Sequence, residues 1–187
     1  MPLGLAGKSG HAVEANARGL LYTYNRGEDA LLNDLGRLFL AFASATPTAG
    51  AARVFAHIAN TSGRNLSVVE FIFTCTAGEV VDVFLGPKEQ AALTGGTSTA
   101  LTSLNGGRSQ APSVAFNVGV GITGFSSTAV NVDFLAITAA NAVDRRTPQG
   151  QIVIPDGGIL YAKSVTSGAA IKFGVILGYQ PQINEVP

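Results

Sequence analysis

Between Ile171 and Tyr179 the chain alternates without a slip. Ile171, Phe173, Val175, Leu177 and Tyr179 are large and apolar, with Lys172, Gly174, Ile176 and Gly178 standing between them. Successive side chains of a strand point to opposite faces, so this period of two predicts a strand with one face fully covered. A covered face requires a second layer. Just upstream, Ile159 to Val165 is another apolar run, joined to the first through Thr166-Ser167-Gly168. A short loop carrying glycine predicts that the two runs pair as an antiparallel hairpin. Gln151 to Ile154 adds a third run and ends in Pro155-Asp156-Gly157-Gly158, whose residue types all favour a tight turn.

The same grammar recurs along the chain. Gly19 to Tyr24 reads as a strand, and Arg53 to Asn60 and Leu66 to Cys75 read as a second hairpin around Asn60-Thr-Ser-Gly-Arg-Asn65. Val80 to Leu85, Thr97 to Leu104, Ser113 to Val120 and Thr128 to Thr138 supply further strands, while Asn141 to Gly150 is the most polar loop. Within Glu28 to Ser44, Leu31, Leu35, Leu38, Phe39 and Phe42 fit a helical stripe, and Arg37 to Ala43 also fits a strand after Gly36. One or two helical turns over Asp29 to Leu35 followed by a strand satisfy both patterns. Pro87 to Leu93 predicts another short helical turn, with proline early and Gly95-Gly96 beyond its end. The expectation is an all-β fold, a β-sandwich or jelly roll of about nine or ten short antiparallel strands with at most one or two short helices. Residues 1–18, with Gly4, Gly7 and Gly10, are expected to form an extended N-terminal arm, and residues 19–187 a single β-sandwich domain. A chain of 187 residues is long enough to bury roughly 70% of its unfolded surface.

Charge decides which partners are plausible. Charged residues make up 13% of the chain and the formal net charge is zero, against about 25% charged in typical soluble domains. Such an exterior offers little repulsion between copies and favours association. From Gln90 to Val143 only Arg108 and Asp133 are charged, so this stretch is expected to be core or to be covered by another chain. With twelve acidic and twelve basic residues and no basic run longer than Arg145-Arg146, no nucleic-acid partner is expected. No apolar run approaches the ~20 residues of a membrane helix, so no membrane partner is expected either. Met1 to Lys8 lacks the basic-then-apolar order of a signal peptide, which predicts synthesis and folding in a cytoplasm.

Gly119-Val-Gly121-Ile-Thr-Gly124 matches the dinucleotide motif in letters, but a phosphate site needs a helix opening behind the glycines, and Phe125-Ser-Ser-Thr-Ala-Val predicts a turn and another strand. His11 and His57 stand far apart and neither has a ligand-spaced partner. Glu70, Glu79 and Asp82 lie close enough in sequence to suggest a paired acid and base, although strand-edge carboxylates are common. Cys75, the single cysteine, reads as a buried structural thiol. Asn60-Thr-Ser and Asn65-Leu-Ser match the glycosylation sequon and read as turn residues. No catalytic, cofactor or metal residues are therefore assigned, and no cofactor is expected.

Four stretches together carry a resemblance: Glu14-Ala-Asn-Ala-Arg-Gly-Leu20, Ile58-Ala-Asn-Thr-Ser-Gly-Arg-Asn-Leu66, Gly95 to Asn105, and Gln151 to Gly168. They resemble small β-sandwich virion proteins of tailed bacteriophages, of the head-decoration or cement kind. The resemblance implies a virion protein on the capsid surface that binds between major capsid subunits, commonly as a homotrimer, and catalyses no reaction. The first alternative is a tail, baseplate or fibre-attachment protein of the same virion, which would share the sandwich and the association-prone surface. A carbohydrate- or receptor-binding sandwich is the alternative from another class.

Overall fold

A computed structural model describes residues 12–15, 21–24, 37–47, 53–86, 95–105, 114–122, 128–148, 152–165 and 168–179. Strands β1 (Ala12–Ala15) and β2 (Leu21–Tyr24) pair antiparallel with each other and join neither of the larger sheets. Twelve strands follow: β3 (Leu38–Ala45), β4 (Arg53–Asn60), β5 (Leu66–Cys75), β6 (Glu79–Gly86), β7 (Thr97–Thr99), β8 (Thr102–Ser103), β9 (Val114–Ile122), β10 (Val130–Ile137), β11 (Val143–Arg146), β12 (Val153–Ile154), β13 (Ile159–Ser164) and β14 (Ile171–Tyr179). They build two sheets, a front sheet in the order β11-β5-β14-β3-β8 with β12 also on β5, and a back sheet in the order β10-β6-β13-β4-β9-β7. The protein is all-β, a β-sandwich, and no helix occurs among the described residues.

The core lies between the sheets. Phe39, Phe71, Phe73 and Phe173 enter it from the front, and Phe55, Phe116, Leu135 and Leu160 from the back, all at most 3% exposed. Each such side chain contributes about 1.5–3 kcal/mol by leaving water. The alternation seen in β14 is explained by this layer: Ile171, Phe173, Val175, Leu177 and Tyr179 are all buried, whereas Lys172 is exposed and Ile176 half-buried on the opposite face.

The strands run where the sequence placed them, but their pairing differs. β13 lies in the back sheet between β4 and β6, and β14 in the front sheet between β5 and β3, so the expected hairpin does not form. The second expected hairpin fails in the same way, because β4 belongs to the back sheet and β5 to the front. Both loops reverse the chain across the thickness of the sandwich instead of within a sheet. Apolar faces on both arms favour this, since each arm then covers the other. The 97–104 run is likewise split, with β7 on the back sheet and β8 on the front. β11 is a strand in what reads as the most polar loop. The expected helical turns over 29–35 and 87–93 lie outside the described residues, as does the expected arm over 1–18 apart from β1.

The winding has a simple rule. β3 pairs with β14, β4 with β13, β5 with β11 and β6 with β10, so the first strands are matched in reverse order by the last. On one flank the two layers are tied by the Ala136 amide of β10, which donates to Asp144 Oδ2 of β11 at 3.2 Å.

The turns at one end are clasped through Asn60, which is wholly buried at the end of β4. Its Nδ2 donates to the carbonyls of Arg64 (2.7 Å), Ile154 (3.0 Å) and Pro155 (3.1 Å). Its Oδ1 accepts from the Ser62 amide (3.1 Å) and hydroxyl (2.6 Å). The facing turn closes with the Gly158 amide on the Pro155 carbonyl at 2.8 Å, and Gly157 supplies the positive φ of 77° that this turn requires. A Cβ on Gly158 would stand 2.8 Å from Pro155 Cδ, so the position also lacks room for a side chain.

Candidate functional site

The residues singled out for chemistry are dispersed by the fold. Glu70 lies on the outer face of the front sheet, where Arg145 Nη1 donates to its Oε1 at 3.1 Å. Glu79 is buried at the start of β6, and its carboxylate accepts from the Val80 amide at 2.9 Å and the Ser164 hydroxyl at 3.2 Å. Asp82 is on the outer face of the back sheet, in register with Lys163 and Phe134. Carboxylates on two opposite outer faces and in the interior between them cannot act on one bond. Cys75 is buried in β5, and among the described residues no three His, Cys, Asp or Glu side chains come together as metal ligands.

The glycine motif lies within β9, where Gly119 has φ 155° and faces Gly96 of the β7 approach. A Cβ on Gly119 would come within 3.1 Å of Gly96 Cα. The glycines there permit two backbones to touch; residues 123 and 124 lie outside the described set. Of the sequon asparagines, Asn60 is the buried clasp, and Asn65 Oδ1 accepts from the Asp156 amide at 3.4 Å in the facing turn.

His11 lies outside the described residues. His57 is 4% exposed on the outer side of β4, opposite Tyr161 of β13 and Asn117 of β9. Neither ring nitrogen has a hydrogen-bond partner among the described residues. Burial lowers its pKa below the ordinary 6.5, so the ring is neutral in the folded protein and charges more readily once unfolded. The resulting stability is complete above pH 6.5 and is lost as pH falls through that value toward the lower folded pKa. We expect the melting temperature to be level near neutral pH and to fall as pH drops below 6.5. His57→Asn should flatten that slope in a thermal-melt series, and an unaltered slope would assign it to other groups.

The charge-poor stretch divides between interior and surface. Phe116, Leu135 and Ile137 are core, while Val130 is 62% exposed and Phe134 57% exposed on β10. Phe134 is stacked under the Arg146 guanidinium at 6.0 Å, which covers part of its ring. On the same outer face Phe84 and Tyr161 stack at 5.0 Å with Lys163 over Phe84 at 5.8 Å.

The feature that sequence reading passed over is the outer face of the front sheet. There Leu40, Ile72 and Ile176 are half-buried and Phe42 is 49% exposed, around Gly174. Lys172, Glu70 and Arg145 border it in the neighbouring registers. Its signal in the sequence is the second face of β14, which carries Gly174 and Ile176. An apolar sheet face rimmed by charge is suited to contact with protein and offers no group for bond-making.

No family model matches the chain, and no curated protein matches it. Among solved structures, the VP2 subviral particle of infectious bursal disease virus aligns at 15% identity and a TM-score of 0.15, over 99% of this chain and 48% of that one. The chain thus spans about half the length of that neighbour, and a likeness this faint carries no argument about fold or function.

Proposed function

We propose that this chain is a structural protein of a virus particle of the tailed-phage kind, docking on the capsid shell between major capsid subunits and stabilising it. The observation that carries this reading is the apolar outer face around Phe42 and Gly174, on a body with so few charges. The winding supports it as well: strands matched first-to-last within each of two sheets are what a jelly roll would have, and that architecture is used in virus shells as well as in lectins. Stabilisation by such a protein is mechanical and thermodynamic. A protein that binds only the assembled lattice favours that state by linkage, and many copies multiply a modest contact energy.

The test is to add the purified chain to expanded heads that lack it and to measure bound copies by gel densitometry. Occupancy on the order of hundreds of copies per head, following the lattice symmetry, with a raised rupture temperature, is the expected result. Roughly six to a few dozen copies on whole virions would instead place it in the tail. No association with any virion component would overturn the proposal.

A further inference from the structure

The outermost strands of the two sheets are β10 and β7 at the back and β11 and β8 at the front. Their lengths are eight, three, four and two residues, so among the described residues the long edge is that of β10. Its sequence, Val130-Asn-Val-Asp-Phe-Leu-Ala-Ile137, is rich in strand-forming apolar residues, and Val130 and Phe134 are 62% and 57% exposed. A strand of this kind at the border of a sheet is a template on which another chain can pair.

Its outward main-chain donors are nevertheless occupied. The Val165 amide donates to the Val80 carbonyl at 3.0 Å, so Val80 turns its main-chain groups toward the β13 side and away from β10. Ala136, opposite Val80, therefore turns its own away from β6, and by the alternation of an antiparallel ladder so does Phe134, opposite Asp82. These two amides face the open edge, and each meets a carboxylate. The Phe134 amide donates to Asp133 Oδ1 at 2.8 Å, and the Ala136 amide to Asp144 Oδ2 at 3.2 Å. The other oxygen of Asp144 lies 3.4 Å from Arg146 Nε, and the same guanidinium stands over the Phe134 ring. Asp133 is in register with Val83 of the core, which puts it on the inward side of the strand, and the ladder is bulged between Asn131 and Asp133. Inward charge and a bulge both deter strand addition. Asp133 is also the one acidic residue between Gln90 and Val143, so the charge-poor stretch spends its single carboxylate at this edge.

We propose that Asp133 and Asp144 hold the β10 edge shut against strand pairing with other copies of the chain. A carboxylate on an outward amide takes the donor that an incoming strand requires and sets negative charge where that strand's carbonyl oxygen would come. The block is divided between the layers. Asp133 belongs to the back sheet and Asp144 reaches over from β11 of the front sheet, so the edge is fully closed only when the two sheets have met. Copies of a chain with zero net charge approach without overall repulsion, which leaves this work to local groups. The inference goes beyond the shell-docking reading, does not rest on it and concerns a different surface.

Sedimentation velocity of the full chain, wild type against Asp133→Ala and Asp144→Ala, tests the block. In a two-fold pairing of β10 with β10 a freed amide is used twice, so each substitution should raise self-association by about thirty-fold over wild type. Asp133→Asn and Asp144→Asn keep an acceptor oxygen and should stay near the wild-type level. Ala136→Pro removes an outward donor without breaking a ladder bond, and adding it to Asp144→Ala should return association to that level. Asp144→Ala also loses the tie between the layers, whereas Asp133 bonds the amide of its own neighbour. Asp133→Ala should therefore keep the melting transition of wild type and carries the test should the other variant not fold. Self-association of Asp133→Ala no stronger than wild type, asparagine variants that associate as strongly as the alanine ones, or a rise that survives Ala136→Pro would each overturn the proposal. Since no shell is present, none of these results bears on shell docking.

Discussion

Asn60→Ala should cost the protein about 4 kcal/mol, more than any surface substitution. The side chain is fully buried and serves two turns, 61–65 and 155–158, each of which joins a strand of one sheet to a strand of the other. Alanine would take the Asn60 donor from the Ile154 carbonyl and the acceptor from the Ser62 amide, at about 1–3 kcal/mol for each buried group left unpaired, while the Pro155 carbonyl keeps the Gly158 amide and the Ser62 hydroxyl keeps the Arg64 carbonyl. The main-chain bonds from Asn60 to Gly158 and from Gly157 to Asn60, 2.9 and 2.6 Å, would remain, which holds the loss below a full unclasping. For a chain of this size the melting temperature should drop by about 8–16 °C. Asn60→Asp, which retains the acceptor but loses the Nδ2 donor, should fall nearly as far. Ser62→Ala should cost only about 1 kcal/mol. A denaturant series showing Asn60→Ala within 1 kcal/mol of wild type would mean that the backbone bonds alone hold the two turns together.

The second large effect is expected at Phe173. Its ring meets Phe55 of the back sheet edge-to-face, 5.8 Å between centroids at 89°, and stacks on Phe71 of the front sheet at 6.1 Å and 25°. It is thus the aromatic link between the two layers, worth about 0.5–1.5 kcal/mol per pair beyond simple burial. A small void beside it, bordered by Ala56, Ile58, Phe116 and Leu160, already lacks packing atoms. Truncation to alanine would enlarge that void, and strands of two hydrogen-bonded sheets cannot easily close on it. Phe173→Ala should therefore lose about 4–5 kcal/mol, the upper end for buried phenylalanine. Phe173→Leu should lose clearly less, since most of the volume is kept. Equal losses for the two variants would show that the ring contacts, rather than the filled volume, dominate.

How far the sequence revealed this molecule depends on the kind of information asked of it. Strand positions were legible because burial on one face leaves a period of two, as in Leu66–Cys75 and Ile171–Tyr179. Partners were not. The segments joining β4 to β5 and β13 to β14 carry the Gly, Ser, Thr and Asn that any tight loop uses, and nothing local says whether the next strand pairs in the same sheet or in the other one. β11 escaped notice because it is an edge strand with little burial, in which Asp144, Arg145 and Arg146 serve ionic and cross-layer contacts. The carboxylates Glu70, Glu79 and Asp82 looked like a group in one dimension because twelve residues of sequence suggest proximity. An intervening crossing between layers places them apart. The apolar outer face of the front sheet is hidden in the sequence for a related reason: Phe42 and Gly174 belong to distant segments and become neighbours only through the β3–β14 ladder.

That ladder has a consequence for how the molecule is made. β14 occupies the centre of the front sheet, flanked by β5 and β3, yet it is the last of the body strands to leave the ribosome. Until it arrives, β3 and β5 are each missing a neighbour, with their apolar faces and open amides exposed to every other nascent chain in the cell. Closure of the front sheet therefore waits for β14, and the closing step joins segments more than a hundred residues apart, the slow kind of encounter. This makes the interval between synthesis and closure, rather than the finished fold, the point most exposed to aggregation.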